Sequence, residues 1–172
     1  MTALAYVGLG SNLGDRLATL RATVEELRAG VIPATELLRC SPVFETRPLG
    51  PSLHPFLNAA VELRTELAPE DLLTELLALE ARHGRTRRER WEARTLDLDL
   101  LVMTEDGRSL RVDTDRLVLP HPELARRDFV LAPLAALRPD LRPGGGATAA
   151  ELLAALPPAD RTILAHDGSP LC

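Results

Sequence analysis

The order strand, helix, two strands, helix, strand can be read along this chain. It predicts an α+β sandwich, a mainly antiparallel sheet with helices packed on one face, the ferredoxin-like arrangement. Three observations carry that expectation. Apolar runs of strand length alternate with two stretches whose leucines recur at helical spacing. Gly or Pro marks most of the changeovers. The stretch Leu96-Asp97-Leu98-Asp99-Leu100 alternates strictly, the pattern of a strand with one face toward a core.

Ala3 to Leu9 reads as a buried first strand, ended by Gly10-Ser11-Asn12-Leu13-Gly14. Asp15 is placed to cap a helix carrying Leu17, Leu20, Val24 and Leu27, with Gly30 and Pro33 closing it. Glu36 to Thr46 is strand-like, Pro48-Leu49-Gly50-Pro51 with Pro55 is a stiff loop, and Phe56 to Thr65 is a further strand. Pro69, followed by Glu70 and Asp71, opens a second helix that runs until Gly84. Thr95 to Met103 is a strand, with Asp106-Gly107 as a hairpin turn beyond it. Phe129 to Leu137 reads as a helix entered near Pro133. Gly144-Gly145-Gly146 forms a joint before a short Ala/Leu helix and an irregular tail. With no internal repeat, the expected organisation is a single catalytic domain over 1–172, with a core at 1–144 and a tail at 145–172.

At 172 residues, with 45% hydrophobic and 26% charged residues, the chain has the composition of an ordinary globular domain, not a disordered one. A net charge of −5 argues against a general nucleic-acid coat. All 20 basic residues are Arg, so phosphate recognition here relies on guanidinium forks. Cys40 and Cys172 show no metal-ligand spacing and no disulfide framework, which fits a reducing compartment. With neither a signal peptide nor an apolar run of membrane length, the expectation is a soluble, cytoplasmic domain without a membrane partner.

Asp97 and Asp99 point to one face of their strand, their Cα atoms about 6–7 Å apart. Such a pair suits Mg²⁺, a hard cation that is commonly shared between carboxylates and substrate phosphates. Alone, Asp-x-Asp is a weak motif that more often marks a solvated acidic face. Six arginines precede it: Arg82, Arg85, Arg87, Arg88, Arg90 and Arg94. Clustered guanidiniums repel unless an anion lies between them, and beside a metal-binding pair that anion is a polyphosphate. A loop balanced by Glu89 and Glu92 is the plainer alternative. His121, set between two prolines, suits a phosphate oxygen, although without context a lone surface histidine is the default reading. Arg116 and Arg127 would join the same face if the last strand lies beside Asp97. Asn58 carries donors and an acceptor able to read a flat heterocycle, and Phe56 and Phe129 offer rings to stack on it. On sequence alone a place in the core is the better reading of those two rings.

Five strings occur in one order: Gly10-Ser11-Asn12-Leu13-Gly14-Asp15, Glu45-Thr46-Arg47-Pro48-Leu49-Gly50-Pro51, Phe56-Leu57-Asn58-Ala59, Arg94-Thr95-Leu96-Asp97-Leu98-Asp99 and Leu119-Pro120-His121. Together they resemble the 6-hydroxymethyl-7,8-dihydropterin pyrophosphokinases of folate biosynthesis, over roughly the first 140 residues. The resemblance implies a ferredoxin-like fold and transfer of the diphosphate of ATP to the pterin hydroxymethyl group, releasing AMP. It implies Asp97 and Asp99 as ligands of two Mg²⁺ ions, with ATP as co-substrate. Arg85 and Arg94 would act with them at the reacting phosphates, and Arg116, His121 and Arg127 would contact phosphate. Arg87, Arg90 and Trp91 correspond to a loop that closes over the nucleotide. The pterin would stack between Phe56 and Phe129 and be hydrogen-bonded by Asn58, beside Thr46, Pro48 and Leu49. Phe56 stands where many members have Tyr, Glu92-Ala93 replaces Gly-Pro, and Leu77 replaces a Gln.

The mechanism so implied is in-line attack of the hydroxymethyl oxygen on the β-phosphorus, assisted by two Mg²⁺ ions. No Ser-His-Asp or Cys-His arrangement is legible that would form a covalent intermediate. The expected partners are ATP and the pterin, with no nucleic acid, and the expected state is a monomer or weak dimer. An RNA-binding module of the same fold would want a basic, aromatic-rich sheet. A different Asp-x-Asp transferase would not need the Phe56, Asn58 and Phe129 set.

Overall fold

A computed structural model describes residues 1–50, 53–84 and 95–172. At the centre lies β1 (Ala3–Ser11), flanked by β4 (Phe56–Thr65) and β5 (Asp97–Glu105), both antiparallel to it. On one side the sheet continues through β3 (Pro42–Thr46) beside β4, with β2 (Thr35–Cys40) pairing the other half of β4. On the other side β6 (Arg108–Ser109) folds back on β5. Asp106 and Gly107 make that turn with φ of +49° and +76°, the left-handed geometry of a tight hairpin. Two short strands, β7 (Val112–Asp113) and β8 (Val118–Leu119), pair separately.

Two helices cross one face. α1 (Arg16–Arg28) starts where the Asp15 carboxylate accepts the Ala18 N–H at 3.0 Å. α2 (Pro69–Arg82) has Pro at its first position and Glu70 and Asp71 in its first turn. Leu20, Val24 and Leu27 of α1 and Leu72, Leu76 and Leu79 of α2 meet Ala5, Val7 and Leu9 of β1 in one apolar core. This β1–α1–β3/β4–α2–β5 circuit is the predicted α+β, ferredoxin-like arrangement.

The helices are not confined to one face. α3 (Asp128–Leu137) and α4 (Ala149–Ala155) cover the other, where Val130, Leu131, Leu134 and Leu137 pack with Tyr6, Ala60, Leu101 and Val102 in a second core. The reason lies in α3 itself, which is apolar almost all round and needs a sheet face to bury it. α3 begins five residues ahead of Pro133, so the proline sits inside the helix, where it removes the i+4 donor for the Phe129 carbonyl. Buried Glu62 of β4 holds the far end of α3, accepting from Arg138 Nη2 at 2.9 Å and Nε at 3.2 Å. The strand-like run from Glu36 is two strands, broken at Ser41 ahead of Pro42, which has no N–H to give.

The tail is not irregular. Ile163–Pro170 forms β9, antiparallel to β3 with Thr46 opposite Ile163 and Pro42 opposite Pro170. That pairing overturns the reading of the cysteines. The Leu171 N–H donates to the Ser41 carbonyl at 2.9 Å, bringing the Cα atoms of Cys40 and Cys172 within 5.6 Å of one another, and the two are joined by a disulfide. The compartment argument drawn from unpaired thiols falls with it. No helix among the described residues is long and apolar enough to cross a membrane.

Candidate active site

Along β5 the side chains divide as a strand requires. Leu98 and Leu100 enter the α1/α2 core, and Asp97 and Asp99 emerge on the opposite face, both lining one cleft of about 230 Å³. Register at this point is fixed from below, where the buried Glu80 of α2 accepts the N–H of Leu98 at 2.7 Å. Gly10 pairs Asp97 on one side and Asn58 on the other, so the three stand in a row across the sheet. A Cβ at Gly10 would lie 3.0 Å from Asn58 Oδ1, 3.7 Å from Phe56 and 3.9 Å from Asp97. The amide, the aromatic ring and the carboxylate therefore converge on one point, kept open because the residue there has no side chain. Gly8, opposite Asp99, extends the same floor.

Asn58 is held by the end of β3. Its Nδ2 donates to Thr46 Oγ1 at 2.7 Å, and both residues are buried, which leaves Oδ1 and one N–H for a ligand. Leu49 and Arg47 form the rim above them. Across the cleft, the start of α3 supplies Phe129 and Val130, with Arg127 at its N-cap. The Arg127 guanidinium lies 5.6 Å from the centre of the Phe129 ring, a cation–π contact that holds both at the mouth.

His121 completes the polar end. Its backbone N–H donates to the Leu101 carbonyl at 2.8 Å, docking the loop on β5, and its Nδ1 accepts the Glu123 N–H at 3.2 Å. The ring hydrogen then belongs on Nε2, the atom free to donate to an anion. Burial pushes its pKa below the ordinary value and nearby Arg127 pushes the same way, against smaller opposing effects of Glu123 and Asp97. The imidazole is thus neutral near pH 7. Among the described residues no group of three or more His, Cys, Asp or Glu gathers to cage a metal. The donor set is two carboxylates in one cleft with an imidazole and a guanidinium, which would suit Mg²⁺ sharing its shell with an anionic ligand and water, and does not suit zinc.

The sequence matches the family described as 7,8-dihydro-6-hydroxymethylpterin-pyrophosphokinase (HPPK) over residues 6–139. The chain belongs to that family. It is 44% identical over 158 residues to the 2-amino-4-hydroxy-6-hydroxymethyldihydropteridine pyrophosphokinase of Pseudomonas aeruginosa, covering 91% of this chain and 94% of that one. The enzyme of the same name from Methylorubrum extorquens is 44% identical over 155 residues, covering 90% and 94%. A crystal structure of Plasmodium falciparum HPPK-DHPS superposes with a TM-score of 0.66 at 12% identity. That match covers 90% of this chain and 44% of the larger one, and it speaks to the fold. Family membership makes this chain an ATP-dependent pyrophosphokinase.

Of the residues expected in this HPPK site, the cleft brings together Thr46, Leu49, Phe56, Asn58, Asp97, Asp99, His121, Arg127 and Phe129. Pro48 stands beside the rim and does not line it. Arg116 does not line the cleft: its Nη1 is 3.6 Å from Glu70 and its Nη2 donates to Thr74 at 3.2 Å, both on α2. Arg85, Arg87, Arg90, Trp91 and Arg94 lie outside the described residues. Sequence reasoning missed the lining roles of Arg47, Leu101 and Val130, and it missed Arg16. The Arg16 guanidinium donates to the Pro55 carbonyl at 2.8 Å and to Glu45 at 2.9 Å, tying the loop that leads into Phe56 to β3. Only Arg47 had a signal, its place beside Thr46 in a quoted motif.

Proposed function

We propose that this chain transfers the diphosphate of ATP to the hydroxymethyl group of 6-hydroxymethyl-7,8-dihydropterin, producing AMP and the pterin diphosphate, with residues 1–172 acting as one catalytic domain. The observation that carries this reading is the convergence at Gly10, where a heterocycle-reading amide and a stacking ring share one floor with Asp97. A pterin seated on Asn58 between Phe56 and Phe129 directs its hydroxymethyl arm along that floor toward the two carboxylates. Reaching the acidic pair from the heterocycle pocket then requires no rearrangement.

Asp97 and Asp99 would hold two Mg²⁺ ions, which supply charge neutralisation along the triphosphate and acidify the attacking hydroxyl. His121 donates from Nε2 to a phosphate oxygen, and Arg127 adds a guanidinium at the same mouth. The hydroxymethyl oxygen attacks the β-phosphorus in line. The bond from that phosphorus to the α-phosphate oxygen breaks, the hydroxyl proton passes to solvent, and AMP leaves. Arg85 and Arg94 are assigned to the charge that develops on the transferred group, and Arg87, Arg90 and Trp91 to covering the nucleotide; these roles come from family membership. Phe56 supplies stacking without a hydroxyl.

Incubation with ATP, Mg²⁺ and the pterin, with the nucleotide product separated by chromatography, tests the reading. AMP formed only when pterin is present supports it. ADP as the sole product, or turnover indifferent to the pterin, overturns it.

A further inference from the structure

We infer that Asp128 is a positioning residue that sets the spacing between the two walls of the cleft by clamping the tail at Thr162; this rests on the reading of the cleft as the pterin site. One wall is the end of β3, where Thr46 orients Asn58. The other is the first turn of α3, which carries Phe129 beside Arg127. Thr162 joins them. Its N–H donates to Asp128 Oδ2 at 2.6 Å and its hydroxyl to Oδ1, while its carbonyl accepts the Arg47 N–H at 2.9 Å. The Ile163 N–H adds a third bond to Asp128, at 3.0 Å. Asp128 is 2% exposed and Thr162 4% exposed, so water does not compete for these groups.

This carboxylate does not do what its place suggests. An acidic residue opening a helix ordinarily serves that helix, through its N–H groups or its dipole. Here both oxygens point away to another segment, and α3 begins without a side-chain cap. A path of short polar contacts and peptide bonds thus runs from Asn58 through Thr46, Arg47, Thr162 and Asp128 to Phe129. Its two ends are the group that reads the edge of the heterocycle and the ring that covers its face. Arg47 reinforces the middle, where its Nη2 reaches the Ala159 carbonyl at 3.3 Å. The tail, which carries no motif, is the brace between the walls.

The experiment is steady-state AMP formation by the whole chain, with pterin and ATP varied separately and thermal unfolding followed for each variant. In Asp128→Ala the pterin KM is expected to rise tenfold or more, and the ATP KM to change less than threefold, since most triphosphate contacts come from other elements. Thr162→Val removes only the hydroxyl and is expected to raise the pterin KM about threefold, with Thr162→Ser restoring it. A folded Asp128→Ala protein whose pterin KM stays within twofold of wild type overturns the clamp, and so do pterin and ATP constants that rise together. If Asp128→Ala does not fold, an unchanged pterin KM in Thr162→Val overturns it instead. A wild-type protein that makes no AMP with the pterin fails the reading of the site, an outcome distinct from failure of the clamp alone.

Discussion

Strands β1 and β5 have two faces built on opposite rules. Toward α1 and α2 every position is filled: Ala5, Val7 and Leu9 of β1 and Leu98 and Leu100 of β5 are buried against helical leucines. Toward the cleft the same strands present Gly8, Gly10, Asp97 and Asp99. There a side chain is a disadvantage, since a Cβ at Gly8 would already stand 3.3 Å from Leu101. One face derives stability from close packing, and the other gives up apolar burial to keep a hole lined with charge. Because alternation puts both rules on one strand, substitutions a few residues apart should damage different properties.

The largest effect expected on the open face is chemical. Asp97→Ala should lower AMP formation by about 10³-fold or more, on the order of 4 kcal/mol in the barrier, with a melting temperature within a few degrees of wild type. A near-normal rate at saturating Mg²⁺ breaks the division of labour. On the filled face, Leu76→Ala should do the reverse. It removes a side chain with no exposed surface and should lower stability by about 2–5 kcal/mol in a denaturant titration, leaving substrate constants of the folded fraction unchanged. Cys172→Ser tests the brace at the edge, with an expected loss of about 2–4 kcal/mol from releasing the closed loop; equal unfolding midpoints for oxidised and serine forms contradict it.

Smaller in energy, and sharper as a test, is Gly10→Ala. One methyl group on the floor should weaken pterin binding about tenfold, roughly 1.4 kcal/mol, without lowering the melting temperature. Unchanged affinity means the heterocycle lies elsewhere. The smallest signal is a titration. His121 in the ligand-free protein should protonate below the ordinary value of about 6.5, and Arg127→Ala should move it upward, as followed by NMR of the ring protons. Since the folded value is the depressed one, the unfolded chain binds more protons in that interval. The stability held by the neutral ring is therefore present above about 6.5 and lost as pH falls from there through the folded value. A His121 value at or above 6.5 contradicts this account.

Periodic features were legible in the sequence. The alternation through Leu96–Leu100 places the acidic pair on the face away from the α1/α2 core, and Phe56 to Thr65 is a strand over the bounds read from its residues. Asp15 caps α1 as its position suggests. What escaped depends on partners distant in sequence. Ile163–Pro170 contains Gly168 and Pro170 and no apolar alternation, so only the exposed edge of β3 makes it a strand. The disulfide follows from that pairing, which spacing between two cysteines cannot reveal. The second layer of helices was hidden because α3 lacks a polar stripe to say which way it faces, and a proline within it mimicked a beginning.

The covalent link between Cys40 and Cys172, 132 positions apart, encloses the cleft residues from Thr46 to Val130 within a single ring of chain, with Gly8, Leu9 and Gly10 of the floor outside it. A protease that severs any one backbone bond inside that ring leaves its fragments attached, including a cut in the arginine-rich segment. A nicked molecule therefore migrates as one species on a gel run without reductant and as two once the sulfurs are reduced.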